Sequence, residues 1–226
     1  MTTPTTNFET AAEPSGSSVD LAYDELLRRI VSGELTEGEP IKGALIAKEM
    51  GLSRTPVVQA ISRLTSEGVL KQELNRRAIV AAGADRWFVN LHEVRILLEP
   101  AAAQQAAGKL DGDTIQSLNE LACRFESEIE WDARRDAAYS LDFALHTTIA
   151  DHAGNLMIRS IVDRCMSFKR FAYRIPNDIP ERLDRSHREH MEILHAVANG
   201  NAETAHAAML FHLRSTFRDL PNTRVV

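Results

Sequence analysis

Hydrophobic positions in the first third of the chain begin with helical spacing. Apolar residues recur every three or four positions from Leu21 to Val31, which predicts a first helix that ends at Gly33. The segment ALIAKEM, which is followed by Gly51, predicts a second helix of about two turns. The chain therefore opens with one longer and one short helix, separated by a turn that contains Gly38 and Pro40.

The third predicted helix begins at Ser53, a favourable N-cap residue, and has Pro56 in its first turn. Its apolar residues repeat at helical spacing until Gly68. From residue 69 to residue 82, short apolar runs flank the polar, basic tip Asn75-Arg76-Arg77, as they do in a β-hairpin. We therefore predict a winged helix-turn-helix over residues 18–82, in which the small β-hairpin is the wing.

The rest of the chain has helical patterning only, and no strand signal appears after residue 80. Residues 157–175 and, with a break at Asn199–Gly200, residues 186–220 read as helices. Three further helical stretches come before them, at residues 87–110, 117–135 and 137–155. We predict a mainly α protein, in which an all-α bundle of about six helices over residues 85–220 follows the winged helix. A disordered arm is predicted at residues 1–17.

Composition argues against a membrane protein and against a disulfide scaffold. No apolar run approaches the roughly 20 residues that a membrane span needs. The N-terminus is rich in Thr, Ser and Pro and has neither the basic start nor the apolar core of a secretory signal. The two cysteines, Cys123 and Cys165, lie far apart without CxxC spacing, which favours a reducing compartment. We therefore expect a cytoplasmic protein with no membrane partner.

Charge is distributed unevenly along the chain. The net charge is −6, which by itself disfavours binding to phosphate groups. The segment from Lys42 to Val80, however, contains seven basic and three acidic residues, so it carries +4 and the remainder carries −10. This asymmetry indicates a small surface that faces DNA, attached to an acidic body.

The predicted second and third helices have the layout of a DNA-reading motif. In such motifs the N-terminal end of the second helix enters the major groove, where Arg can meet guanine or phosphate. Spacing alone leaves open an ordinary αα-hairpin with a solvated polar face, and the basic hairpin tip favours DNA binding over it. The candidate DNA-binding residues are Ser53, Arg54, Thr55 and Gln59 on the helix and Arg76 and Arg77 on the wing.

Candidate metal ligands lie on three of the predicted helices. Asp142 and His146 are four residues apart, so they share one helix face. His190 and His212 lie before and after the turn at Gly200 at nearly equal separations, so antiparallel helices would place them level, roughly 15 to 18 Å from that turn. One carboxylate and three imidazoles suit zinc, nickel or manganese and leave coordination positions for water or a bound acid.

A second pair of histidines competes for the same role. His195 and His206 are also nearly level about the turn, but His195 is rotated about 140° from His190, so both pairs cannot face inward together. Periodicity alone does not decide between the two pairs. The other histidines have the spacing of structural or exposed residues: His92, His152 and His187.

Several motifs between residues 18 and 82 resemble the N-terminal domain of GntR-type regulators. They are RRIVSGELTEGEPI, LIAKEMGLSRTPVVQAISRLTSEGVL and NRRAIV. The resemblance implies a winged helix-turn-helix that binds operator DNA. This chain has Val58 where the family usually has Arg, Gln59 where it has Glu, and Gly43-Ala44 where it has Glu-Arg. Fewer basic contacts to DNA are therefore expected here.

Residues 85–220 resemble the FCD effector domain found in the FadR-like branch of the same family. The matching segments are EVRILLEPAAAQQAA, DFALHTTIADHAGN and SHREHMEILHAVANGNAETAHAAMLFHL. The resemblance implies that the metal ligands are Asp142, His146, His190 and His212, which favours His190 and His212 over the competing pair. It also implies that Arg95 and Asn155 contact a bound effector, although Arg95 could equally form a salt bridge with Glu99, four residues along.

Together these features predict a homodimeric transcription regulator, a repressor in the commoner sense of the family. A small carboxylate or hydroxy-acid effector would bind at the metal in the helical bundle and change operator affinity. The rival hypothesis is a metal-dependent hydrolase or lyase in which the same Asp and three His activate water. That reading lacks an assigned general base, for which His187 or Glu189 would be the candidates.

Overall fold

A computed structural model describes residues 17–73, 77–172 and 180–217. Two compact units divide the chain between Trp87 and Phe88. The predicted arm lies outside the described residues except for Ser17, and so does Arg76 on the predicted wing. No helix in the described ranges is both long and apolar enough to cross a membrane.

The first unit contains the three helices and the hairpin that the pattern predicts. Its helices are α1 (Ser18–Val31), α2 (Gly43–Glu49) and α3 (Arg54–Ser66), and its strands are β1 (Leu70–Gln72) and β2 (Ala78–Val80). A single 3-10 turn, Ala84–Arg86, follows β2. Apolar side chains of α1 and α3, among them Leu26, Val57 and Leu64, are fully buried and form the centre of this unit.

Local sequence explains where these helices begin and end. Ser17 and Asp20 form a capping box at the start of α1, in which each side chain bonds the backbone N–H of the other residue. Gly51 adopts φ 64° after α2, a left-handed conformation that Gly tolerates and that lets the chain turn sharply into α3. Ser53 occupies the N-cap position of α3 with extended backbone, but its side chain makes no capping hydrogen bond.

The predicted β-hairpin is present and antiparallel. Leu70 pairs with Val80 and Gln72 pairs with Ala78, and the backbone N–H of Glu73 donates to the carbonyl of Arg77 at 2.9 Å. An isolated bridge from Pro40 to Ile79 attaches the loop before α2 to the outer edge of β2. The hairpin is therefore anchored on one side.

Six helices make up the described part of the second unit. They are α4 (Trp87–Ala106), α5 (Gly112–Ser127), α6 (Trp131–His152), α7 (Leu156–Ala172), α8 (Pro180–Ala198) and α9 (Ala202–Phe217). One predicted boundary is wrong, because the break between α5 and α6 falls at residues 128–130 and not after Arg135. Glu128 and Glu130 take extended backbone conformations there, with no Gly or Pro to mark the turn.

A buried apolar cluster joins these helices and contains residues from α4 to α9, including Leu145, Ile193 and Met209. The turn between α8 and α9 also contacts the C-terminal end of α4. The backbone N–H of Gly108 donates to the carbonyl of Val197 at 2.8 Å, and a Cβ added to Gly108 would lie 3.4 Å from the Cα of Gly200. Gly108 and Gly200 both adopt positive φ, 74° and 72°, a conformation that favours glycine at each position.

Candidate metal centre and nucleic-acid interface

The N-terminal end of α3 presents a polar, exposed surface. Ser53, Arg54, Thr55 and Gln59 are all exposed, while their neighbours on the opposite face of the helix are buried in the unit. Val58 is also 61% exposed on this surface, so an apolar side chain occupies a solvent-facing position. These exposed side chains have the position that a recognition helix needs in order to reach base edges and phosphates.

Of the two predicted wing residues, the structure describes Arg77. Arg77 is exposed immediately before β2, at the tip of the hairpin. The prediction for Arg76 lies outside the described residues.

The second unit brings Asp142, His146, His190 and His212 together in a group that we call the donor cluster. One potential ligand atom from each residue lies within 4.8 Å of every other. Nε2 of His190 is 3.1 Å from Oδ1 of Asp142 and 3.2 Å from Nε2 of His212. Nε2 of His146 is 3.6 Å from the same Asp142 oxygen. The donor atoms therefore converge on one small volume.

Helix geometry explains this convergence. Asp142 and His146 are one turn apart on α6, so their side chains leave the same face. The turn at Asn199–Gly200 makes α8 and α9 antiparallel neighbours, which places His190 level with His212. No cluster member exposes more than 2% of its surface. Such burial is unusual for four polar side chains and is unfavourable unless they bind one another or a ligand.

Two carboxylates hold the cluster imidazoles from behind. Glu99 on α4 bonds Nδ1 of His146, and Glu189 on α8 bonds Nδ1 of His212 at 2.9 Å. Because a carboxylate only accepts hydrogen bonds, both rings carry their proton on Nδ1 and direct Nε2 into the cluster. Metal-binding histidines are commonly oriented by carboxylates in this way.

Glu99 is itself ion-paired with Arg95, one turn earlier on α4. Nε of Arg95 is 2.5 Å from Oε1 of Glu99, and both side chains are buried. Burial works against ionisation of Glu99, but the Arg95 guanidinium and His146 hold the pKa of this carboxyl below its usual value. Arg95 therefore forms the salt bridge with Glu99 that its spacing allows. A guanidinium nitrogen of Arg95 also lies 3.3 Å from Nδ1 of His146, directly behind the cluster.

The donor set fits a divalent transition metal. Nε2 of His146 is buried and has no hydrogen-bond partner among the described residues, although its ring is fixed by Glu99. A nitrogen that is oriented, desolvated and unpaired favours an additional ligand between it and the other cluster atoms. Imidazole nitrogens suit zinc and nickel, and a carboxylate oxygen suits manganese, so this mixed donor set is compatible with all three ions.

The remaining predicted effector residue, Asn155, lies at the start of α7. Its side chain is exposed, and its amide oxygen accepts hydrogen bonds from the backbone N–H groups of Met157 and Ile158. In this structure Asn155 therefore caps α7, and its predicted contact with an effector stays a prediction.

The other histidines have separate environments. His195 is exposed and His206 is half-buried, so neither belongs to the donor cluster. His92 bonds the backbone carbonyl of Leu213 at 2.6 Å, and His152 bonds that of Thr148 at 2.8 Å. These contacts are structural.

A narrow cleft, with enclosed space for about one water molecule, adjoins the donor cluster and is lined in part by His190. Its apolar walls include Phe125, Leu141 and Leu183, and its polar lining includes Ser186 and His187. The sequence did not single out this cleft, nor did it identify Glu99 and Glu189 as partners of the cluster histidines. The available signals were weak, since Glu189 merely precedes His190 and Glu99 merely follows Arg95 by one turn.

The fold defines the class of this protein. A winged helix-turn-helix that precedes a helical bundle is the architecture of a DNA-binding transcription regulator. Residues 19–80 match the family described as "Bacterial regulatory proteins, gntR family", and residues 90–215 match the FCD domain. The chain therefore belongs to the GntR family of bacterial transcription regulators, in the branch with an FCD domain.

Curated relatives match the chain along most of their length. The chain is 28% identical over 207 residues to the HTH-type transcriptional regulator LutR of Bacillus subtilis, covering 81% of this chain and 92% of LutR. It is 27% identical over 191 residues to the Nta operon transcriptional regulator of Aminobacter aminovorans, covering 83% and 87%.

A solved structure, E. coli McbR/YncC, has a TM-score of 0.62 at 17% identity and covers 90% of this chain and 96% of its own. The Listeria monocytogenes protein Lar has a TM-score of 0.60 at 22% identity and covers 90% and 97%. Both likenesses support the fold.

Proposed function

We propose that this regulator is a homodimeric repressor whose helical bundle binds one divalent metal and a small carboxylate or hydroxy-acid effector. The donor cluster carries this proposal, because it places four convergent, buried ligand atoms in the same chain as a DNA-binding domain. A dimer is proposed because a single recognition helix reads too few base pairs for specific binding in a genome.

Asp142, His146, His190 and His212 would hold the metal, which is zinc, nickel or manganese in this proposal. When bound, such an ion supplies positive charge and open coordination positions that attract an anionic oxygen. The protein's own part is to orient the imidazoles through Glu99 and Glu189, and to exclude water by burying all four ligands.

The effector would enter through the cleft beside His190. Its apolar walls suit the carbon chain of a small acid, and the metal end suits the carboxylate. Arg95 supports an anion from behind the cluster by its charge, although its guanidinium is already paired with Glu99. Asn155 would be a second effector contact only if its side chain released the backbone N–H group of Met157 that it now caps.

Helix α4 supports a coupling between the effector site and DNA binding. It begins at Trp87, where the first unit ends, and it carries Glu99, which bonds the cluster residue His146. A change in the position of His146 is therefore transmitted through one side chain, Glu99, to the helix that follows the DNA-binding unit. We propose that the effector favours one arrangement of the dimer's two DNA-binding units, and so changes operator affinity.

Reciprocal titration tests this function. Operator duplexes are first selected in vitro from random DNA with the full chain, and fluorescence anisotropy then measures their affinity with and without each of a panel of small acids. Binding free energies must couple equally in both directions, so an acid that changes DNA affinity by about 5- to 150-fold changes its own affinity by the same factor when DNA is present. Equal acid affinity with and without operator would contradict the regulatory part of the proposal.

A further inference from the structure

His187 lies on α8 three residues before the cluster residue His190, so both side chains project from the same face of the helix. Both of them line the cleft. The ring of His187 is 9% exposed and stacks on Phe125, with the ring centroids 4.6 Å apart at an interplanar angle of 30°. The orientation of this imidazole in the cleft wall is therefore fixed by packing.

A hydrogen bond fixes the tautomer of the same ring. Nε2 of His187 is 2.9 Å from a carboxylate oxygen of Glu126 on α5. Because a carboxylate only accepts hydrogen bonds, Nε2 carries the proton, and Nδ1 of the neutral ring is left with a lone pair. Nδ1 is buried and has no hydrogen-bond partner among the described residues. An unpaired, desolvated acceptor in a cleft wall is costly, and a ligand that donates a hydrogen bond removes that cost.

We propose that His187 is a specificity-determining residue of the effector site, and that its Nδ1 accepts a hydrogen bond from a hydroxyl or amine group of the effector. This inference rests on the function proposed above. The carboxylate of the effector lies at the donor cluster, its carbon chain packs on Leu141 and Leu183, and its donor group meets His187. Glu126 is a positioning residue that acts through the imidazole.

The same geometry narrows the chemical class of the effector. A lone pair on Nδ1 attracts a hydroxyl and repels a second carboxylate, so the site selects hydroxylated monocarboxylates over dicarboxylates. The cleft encloses about 10 Å³, the space of roughly one water molecule, so an effector must displace the wall side chains to enter, and a short effector displaces them least. The effector is therefore a short hydroxy-acid or amino-acid derivative.

Isothermal titration calorimetry on the zinc-loaded full chain tests this proposal with butyrate, the 2-, 3- and 4-hydroxybutyrates, and succinate. We expect 3- or 4-hydroxybutyrate to bind about fivefold or more tightly than butyrate, which corresponds to one neutral hydrogen bond. Succinate is expected to bind more weakly than either. In 2-hydroxybutyrate the hydroxyl lies next to the carboxylate and can reach the metal directly, so this isomer reports binding that does not depend on His187.

Three substitutions separate the roles of the two ring nitrogens. His187→Phe keeps the stacking on Phe125 and removes Nδ1, so it should abolish the preference for the 3- or 4-hydroxy acid while butyrate affinity stays within about twofold. His187→Asn places an amide at the distance of Nδ1 and should restore part of the preference, whereas His187→Gln reaches only to the position of Nε2 and should not. His195→Phe is the matched control, because His195 is exposed on the same helix.

The outcomes distinguish a failure of the role proposed for His187 from a failure of the proposed function on which it rests. Acids that bind the loaded protein with no preference for the hydroxylated forms, or a preference that His187→Phe leaves unchanged, would overturn the role of His187 alone. Failure of every acid to bind would overturn the proposed effector site together with this inference. Nitrogen-15 NMR of labelled histidines gives an independent readout, since the Nδ1 resonance of His187 should shift with 3- or 4-hydroxybutyrate, and a protonated Nδ1 in the free protein would contradict the proposal.

Discussion

The candidate DNA-binding surface at the start of α3 and the donor cluster place their residues in opposite ways. On α3, the candidate residues Ser53, Arg54, Thr55 and Gln59 fall within seven positions of sequence and are exposed. The donor cluster draws its four residues from α6, α8 and α9, across 71 positions, and buries all of them. The first site is a stretch of chain, whereas the second exists only when three helices have packed.

This difference determines how each site tolerates change. Exposed side chains on α3 contribute little to the core, so their substitution should alter DNA binding and leave the fold intact. Buried cluster residues support one another through hydrogen bonds, so a single truncation leaves the remaining polar groups unsatisfied. Substitutions in each site test this contrast between exposed residues that the fold does not need and buried residues that depend on one another.

The largest effect is expected from removing one member of the cluster. His190→Ala or His212→Ala should reduce bound metal from about one ion per chain to nearly none, because only three ligands would remain around a partly hydrated cavity. Inductively coupled plasma mass spectrometry of the dialysed protein measures this stoichiometry. His206→Ala is the matched control and should keep its metal, since His206 is half-buried on α9 and lies outside the cluster. Full loading of all three variants would show that the cluster is not the metal site.

A weaker effect is expected from the carboxylate behind the cluster. Glu189→Gln keeps the size of the side chain but removes the charge that orients His212, so metal affinity should fall by about 10- to 100-fold. Competition with a chelator of known affinity measures the change. Glu192→Gln, an exposed neutralisation on the same helix, provides the control. An unchanged affinity in Glu189→Gln would mean that the cluster imidazoles are oriented by packing alone.

On the exposed surface, Arg54→Ala should weaken binding to selected operator DNA by about 1 to 3 kcal/mol without changing metal content. Arg124→Ala removes an equally exposed cation from α5 in the other unit and should leave DNA affinity unchanged. Anisotropy titrations over a range of salt concentrations also separate the wing from the helix, since Arg77→Ala should mainly reduce the salt dependence by about one phosphate contact. Parent-like operator binding by Arg54→Ala would remove α3 as the recognition helix.

The smallest effect concerns ion pairing on α1, in the first unit. Hydrogen bonds from Arg28, with a further contribution from Arg29 and against a burial penalty, lower the pKa of Glu25 to about 2. A depressed carboxyl pKa stabilises the folded state above its ordinary value near pH 4.5, and this contribution is lost as the pH falls through 2. Because Glu25 is partly exposed, its contribution at pH 7 is only about 1 kcal/mol.

Hydrogen–deuterium exchange of α1 in the parent and in Glu25→Gln measures that contribution. The parent should be about fivefold better protected at pH 7, and the advantage should largely disappear near pH 2. Glu120→Gln, on α5, should show no difference in α1 at either pH. A constant difference across this range would indicate that the Glu25 carboxylate is not the titrating group.

The sequence predicted the DNA-binding unit closely because its signals are local. Gly51 and Gly68 mark helix ends, and the short apolar runs before and after residues 75–77 mark the hairpin. The break between α5 and α6 was misplaced for the complementary reason, since the chain becomes extended at Glu128 and Glu130 without a Gly or Pro to signal it.

The donor cluster was only partly accessible from sequence. Helical phase paired Asp142 with His146. It could not choose between His190 with His212 and the alternative pair, because both pairs are nearly level about the turn and the two faces of α8 that they occupy were equally eligible to face inward. The choice follows from which face of α8 packs inward, a property of the whole bundle. The role of Glu99 and the cleft beside His187 were not predicted. Glu99 contacts His146 across 47 positions of sequence, and His187 contacts Glu126 across 61.

The turn between α8 and α9 sets the positions of residues that lie several helical turns away from it. His190 and His212 stand at nearly equal separations on either side of this turn, and the backbone N–H of Gly108, just beyond α4, donates to the carbonyl of Val197 beside it. The same turn therefore fixes the levels of two donor-cluster histidines and the end of the helix that carries Glu99. A side chain at Gly108 or Gly200, where φ is 74° and 72°, is accordingly expected to disturb the donor cluster without touching it.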